Sequence, residues 1–144
     1  MTLALDDLYR NVILDHHRHP RNFRAIDAAR TAEGSNPLCG DRITVYLHVA
    51  DDVIVEAGFQ GYGCAIATAS ASLMTEAVTG GTVAGAVDLA ARVRRMVEAS
   101  PESDIPDVGA IAALAGVRRF PARAKCAVLP WRALEVALEF DRRP

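Results

Sequence analysis

Two runs decide the fold: Ile43-Thr44-Val45-Tyr46-Leu47-His48-Val49-Ala50 and Val53-Ile54-Val55-Glu56-Ala57-Gly58-Phe59, separated only by Asp51-Asp52. Both are rich in β-branched and aromatic residues, which suit a pleated, half-buried surface. A two-residue polar connection between such runs predicts an antiparallel hairpin. Arg30 to Glu33 is read as a further strand beside it. After the hairpin, Gly61-Tyr62-Gly63-Cys64 reads as a turn feeding a helix from Ala65 to Val78, closed by Gly80-Gly81. The many Ala and Ser residues of that helix allow close packing on a sheet.

Further along, a helix is expected from Thr82 to about Ala99. Pro101, Pro106 and the acids from Asp104 to Asp107 mark a surface break, and a short helix covers Val108 to Ala115, ended by Gly116. Leu134, Val136, Ala137 and Leu138 predict a last helix from about Pro130 to Phe140. Upstream, Leu5, Leu8, Val12 and Ile13 share one helical face, and that helix stops before Pro20. Gly34, Ser35, Asn36 and Pro37 read as turn formers in a loop. The order is helix, strands, then several helices. It implies an α+β fold, a small antiparallel sheet of about three strands packed against helices, as a single domain over residues 1–144.

The bulk numbers narrow the function. The chain has 144 residues, 51% hydrophobic and 24% charged, enough for one well-filled core. A net charge of −2 supplies no basic field for nucleic acid. No run approaches the roughly 20 apolar residues of a membrane span. The first ten residues carry acids where a signal peptide carries bases. A cytoplasmic protein is expected.

Three cysteines, an odd number, exclude a complete set of internal disulfides. Cys39 lies in Asn36-Pro37-Leu38-Cys39-Gly40-Asp41, Cys64 opens the small-residue helix, and Cys126 precedes the last helix. Loop and element-end positions let side chains converge while the elements behind them stay rigid. The ordinary alternative is three small apolar side chains in the core. Against it, Gly40 follows Cys39 and Gly61 and Gly63 precede Cys64, which lets backbone approach sulfur. A helix N-terminus at Cys64 favours a thiolate, and Arg118, Arg119, Arg123 and Lys125 crowd Cys126. Three thiolates and the carboxylate of Asp41 make a tetrahedral donor set for zinc or iron. The intervals of 25 and 62 residues between cysteines are not those of a zinc finger.

Other polar residues read plainly. His16, His17 and His19 sit at a helix end, where terminal carbonyls and water are the usual partners. His48 reads as an ordinary strand residue, and Arg92, Arg94 and Arg95 as a solvated helix face.

As a set, four segments resemble the U-type scaffold family of iron–sulfur cluster assembly, and within it the zinc-binding sulfur-transfer branch, the SufU proteins. They are Leu8-Tyr9-Arg10 with Asp15-His16 and Asn22; Asn36 to Asp41; Gly58-Phe59-Gln60-Gly61-Tyr62-Gly63-Cys64-Ala65-Ile66; and Phe120-Pro121-Ala122-Arg123-Ala124-Lys125-Cys126-Ala127 through Trp131 and Leu134. Together they span nearly the whole chain. Lys125 stands where the classical scaffold has a histidine, and Arg95 to Gly116 looks like the branch's insertion. The classical scaffold's chaperone-binding motif is only partial in Phe120-Pro121-Ala122-Arg123.

The resemblance implies an α+β fold with Cys39, Asp41, Cys64 and Cys126 at one exposed end as metal ligands. It implies zinc, or alternatively iron or a [2Fe–2S] cluster. It also implies a cysteine desulfurase of the SufS type as partner, downstream iron–sulfur assembly proteins, and Cys39 as sulfur acceptor. Arg118, Arg119, Arg123 and Lys125 are the expected partner-binding residues. A cluster scaffold and a purely structural zinc module are the rival readings, and monomer and homodimer both stay open.

Overall fold

The computed structural model describes residues 2–27 and 29–139. The expected helix end at Phe140 and the side chains of Leu5 and Leu8 lie outside what it describes. The order is α1 (Thr2–Arg18), β1 (Arg30–Asn36), β2 (Asp41–Ala50), β3 (Val53–Tyr62), α2 (Ala65–Val78), α3 (Val83–Glu98), a 3₁₀ segment (Gly109–Arg119) and α4 (Pro121–Glu139). The architecture is α+β, as expected.

The hairpin forms as the sequence predicts. Asp51 and Asp52 have φ of 52° and 62°, the left-handed backbone that a twist-matched two-residue turn requires. Ala50 pairs with Val53 across it, and the strand order is β1-β2-β3, antiparallel throughout. Ile43, Val45 and Leu47 alternate inward along β2 and are fully buried. They meet Trp131 and Leu134 of α4 and the alanines of α2 in one continuous core. Trp131 is buried with its indole N–H donated to Ser70 Oγ at 3.0 Å, and Ser70 in turn donates to the Ala127 carbonyl, tying α2 to α4.

Three boundaries differ from expectation. Gly34, Ser35 and Asn36 are strand rather than loop, paired with Ile43, Arg42 and Asp41. The reason is tertiary: Leu129 of α4 lies over Gly34, where a Cβ would come within 3.0 Å of it. The last helix begins at Pro121, not Pro130. A proline suits a first helical position, whereas Pro130 sits mid-helix and denies the Cys126 carbonyl its usual helical donor. The segment expected to end at Gly116 continues as 3₁₀ helix to Arg119.

His16 also differs. It is buried, with Nδ1 2.7 Å from Ser72 Oγ on α2, not turned to terminal carbonyls. The Arg21 amide donates to the same Ser72 oxygen at 2.8 Å, and Asn22 Nδ2 donates to Thr75 Oγ1 at 3.1 Å. Burial, and then the Arg21 charge, hold the His16 imidazole below its ordinary pKa against the opposing pull of Glu76 and Asp15. Thr82 caps α3, accepting from the Gly85 amide at 2.9 Å. No helix among the described residues is long and apolar enough to cross a membrane.

Candidate metal centre

Four side chains are delivered to one end of the molecule by three different structural devices. Cys39 lies in the tight turn between β1 and β2. Its amide donates to the Asn36 carbonyl at 3.1 Å, and Gly40, with φ of 70°, completes the reversal. Cys39 is exposed. Asp41 opens β2 and is only 2% exposed. Its Oδ1 accepts the Cys64 amide at 2.7 Å, which serves a helix N-terminus that has no cap from the Cys64 side chain. Gly63 makes that approach possible, since a Cβ there would lie 2.5 Å from Asp41 Oδ1.

Cys126 lies in the second turn of α4 rather than ahead of the helix, and it is buried. Its Sγ receives a long hydrogen bond from Asn36 Nδ2 at 3.7 Å and donates to the Ala122 carbonyl at 3.6 Å. Asn36 is a contributor that sequence reasoning missed. Its strand register points it inward toward α4, and a turn-forming residue type gave no hint of that.

The ligand atoms of Cys39, Asp41 and Cys126 all lie within 4.8 Å of one another. Cys64 Sγ is 4.0 Å from Asp41 Oδ2 and stands outside the trio whose ligand atoms share that 4.8 Å spread. In a tetrahedral zinc site sulfurs stand roughly 3.8 Å apart, from bonds of about 2.3 Å. The spread of these atoms needs only modest contraction to meet that, and three sulfurs with one oxygen is a donor set zinc or iron accepts. The residues therefore fit a metal.

The electrostatics point the same way. Burial pushes the Cys126 thiol far up from its ordinary pKa. Hydrogen bonds with Asp41, Cys39 and Cys64, and the Cys64 charge, act in the same direction. Four acidic groups packed together cannot all ionise unless a cation offsets them. The expectation that nearby arginines draw out the Cys126 proton is overturned, since burial and the acidic neighbours prevail.

The four basic residues predicted around Cys126 separate in space. Arg118 is buried and turned inward. Its Nε donates to the Met96 carbonyl at 2.8 Å, and its two terminal nitrogens donate to the carbonyls of Ser103 and Asp104 at 2.7 and 3.2 Å. It fastens the end of α3 to the following segment and cannot meet a partner, which corrects that expectation. Burial lowers its pKa. Lys125 borders a cavity shared with Asn36 and Arg132. Arg119 and Arg123 line a separate groove against α1.

A model of the NifU-like N-terminal domain matches residues 8–127. The chain belongs to this family. Among relatives of the NifU-like N-terminal domain, it is 43% identical to the zinc-dependent sulfurtransferase SufU of Bacillus subtilis over 131 residues, covering 91% of this chain and 89% of that one. It is 37% identical to the iron–sulfur cluster assembly scaffold protein IscU of Streptococcus pyogenes, covering 94% of this chain and 85% of the relative. A crystal structure from Fervidobacterium islandicum AW-1, described as a candidate iron–sulfur cluster assembly scaffold for the SUF system, superposes with a TM-score of 0.83 at 35% identity. That match covers 91% of this chain and 96% of the other.

Proposed function

We propose that this chain, acting as one domain, is a zinc-holding sulfur relay of iron–sulfur cluster assembly that takes sulfur from a cysteine desulfurase on Cys39. The observation that carries the reading is the convergence of Cys39, Asp41 and Cys126 on one point, with Cys64 in reach, at an exposed end of the fold. The name of the Bacillus subtilis relative, a zinc-dependent sulfurtransferase, supports it.

Cys39, Asp41, Cys64 and Cys126 would hold the zinc. Bound there, zinc stabilises the thiolates at neutral pH, and the single oxygen donor keeps the site exchangeable. Cys39 is the acceptor because it is exposed and carried by a turn, whereas Cys126 is buried within α4. Its thiolate attacks the outer sulfur of the desulfurase persulfide. A sulfur–sulfur bond forms at Cys39, the persulfide bond breaks, and the desulfurase cysteine leaves as a thiolate. Leu38, 84% exposed, and Tyr62, 64% exposed, offer apolar surface to that partner, and Lys125 is exposed next to Cys126 in the chain. The cytoplasm, where thiols stay reduced, suits such a relay.

The 37% identity to a protein named as a cluster scaffold favours a second reading, assembly of a [2Fe–2S] cluster on the same ligands. One experiment separates them. The purified protein is assayed for metal and for its effect on sulfur release from cysteine by a desulfurase. Bound zinc with faster release, lost in Cys39→Ala with the fold intact, is the expected result. Iron and acid-labile sulfide with no effect on release would favour the scaffold. Undiminished persulfide transfer to Cys39→Ala would remove the acceptor assignment.

A further inference from the structure

A groove of about 400 Å³ runs between α1 and the junction of the 3₁₀ segment with α4. Its floor is apolar: Ile13 is buried, while Leu14 and Phe120 are 40% and 43% exposed at its lip. Its rim carries three guanidinium groups, Arg10 from α1, Arg119 from the 3₁₀ segment and Arg123 from α4. Among the described residues, none that lines it is acidic and none of the three arginines makes an ion pair. Arg123 lies over the Phe120 ring, 4.7 Å from its centroid, which holds the cation at the edge of the groove. The N-terminus of α4 adds positive potential at the same place, and its first turn contains no acid to offset it. In a chain whose net charge is −2, three guanidinium groups with no ion pair among the described residues are a local concentration of positive charge.

We propose that this groove docks an acidic amphipathic helix of a partner protein, its apolar side chains on Ile13, Leu14 and Phe120 and its carboxylates on the three arginines. A cleft between two helices is shaped for a third, and the space takes two or three side chains. Charge confined to the rim over an apolar floor is the pattern of a protein contact, with steering from the cations and affinity from buried apolar surface. Phe120 and Arg123 sit one to two turns before Cys126 on the same run of chain, so a partner held here lies beside the cysteine end. The proposal rests on the relay reading, in which the chain works on protein partners. The two fail separately, because a Cys39→Ser protein that has lost sulfur acceptance still keeps the groove.

The test uses the full chain, isotopically labelled, and two synthetic helical peptides of roughly 14 residues. The peptides have the same Leu and Phe positions and differ only in carrying Glu or Lys on the flanks. The acidic peptide is expected to bind at least about tenfold more tightly, to weaken with added salt, and to shift the amides of residues 9–14 and 116–123. The triple variant Arg10→Gln, Arg119→Gln and Arg123→Gln, which removes the charges but keeps polar side chains, is expected to unfold at the same midpoint and to lose that preference. Cys39→Ser should retain it. Equal affinity for both peptides, binding by neither, shifts centred elsewhere, or a triple variant that still prefers the acidic peptide would each overturn the proposal.

Discussion

Helix α2 joins two polar clusters of opposite character. At its C-terminal half, Ser72 and Thr75 meet His16, Arg21 and Asn22 in a closed network, where each donor has an acceptor a few residues away in space. At its N-terminus, Cys64 meets Asp41, which lies with Cys39 and Cys126 in a group of acidic side chains. The first cluster is complete without help and locks α1 to α2. The second gathers acidic side chains around Asp41, and under the proposed function it is the end that would hold a cation. On the proposed reading, stability and function therefore reside at opposite ends of one helix.

The largest effect should come from opening the closed end. Ser72→Val leaves the buried His16 ring and the Arg21 amide without their shared partner and should cost roughly 2–4 kcal/mol, read by chemical denaturation. Zinc stoichiometry should stay unchanged; a loss of metal in this variant would break the separation of the two ends. Acid should act at the same place. The unfolded chain binds a proton at the ordinary histidine value of 6.5, and His16 in the folded protein binds it only at lower pH. The unfolded state thus takes up more protons as pH falls below 6.5, and stability present above that value is lost down to the folded pKa. His16→Gln should flatten this part of the stability-against-pH curve, and an identical slope in both proteins would discard the assignment.

The open end should respond in the other sense. Gly63→Ala puts a carbon against Asp41 Oδ1. It should cost only about 1 kcal/mol, the scale of a lost helix cap, yet weaken zinc at least about tenfold by moving a ligand. A competition titration against a chelator checks this. Least of all, Leu38→Ser, at an 84% exposed position, should leave stability within about 0.5 kcal/mol while slowing sulfur uptake from the desulfurase. A large stability loss there would mean that this surface is part of the fold.

The hairpin was legible because its signal is local: β-branched runs and a two-residue acidic turn. Of the cysteine cluster, Cys39 and Cys64 were legible from glycine neighbours and element ends, whereas Cys126 lies inside α4 and only the resemblance grouped it with them. What failed depended on distant partners. Gly34-Ser35-Asn36 has turn chemistry, but pairing with β2 and the weight of Leu129 make it strand. Pro130 reads as a helix boundary, but packing of Trp131, Leu134 and Leu138 into the core carries α4 through it. Arg118 looked like part of a surface cluster, and only the three carbonyls it meets show that it faces inward.

Asp41 has one oxygen committed to the Cys64 amide and the other facing the Cys64 sulfur. A side chain that anchors a helix and offers a donor at once links occupancy of the ion site to the firmness of α2. A bound ion would be felt along that helix toward Ser72, and slackening of the helix would in turn loosen the ion. In the proposed site the carboxylate is therefore a hinge between the two ends as well as a donor to the ion.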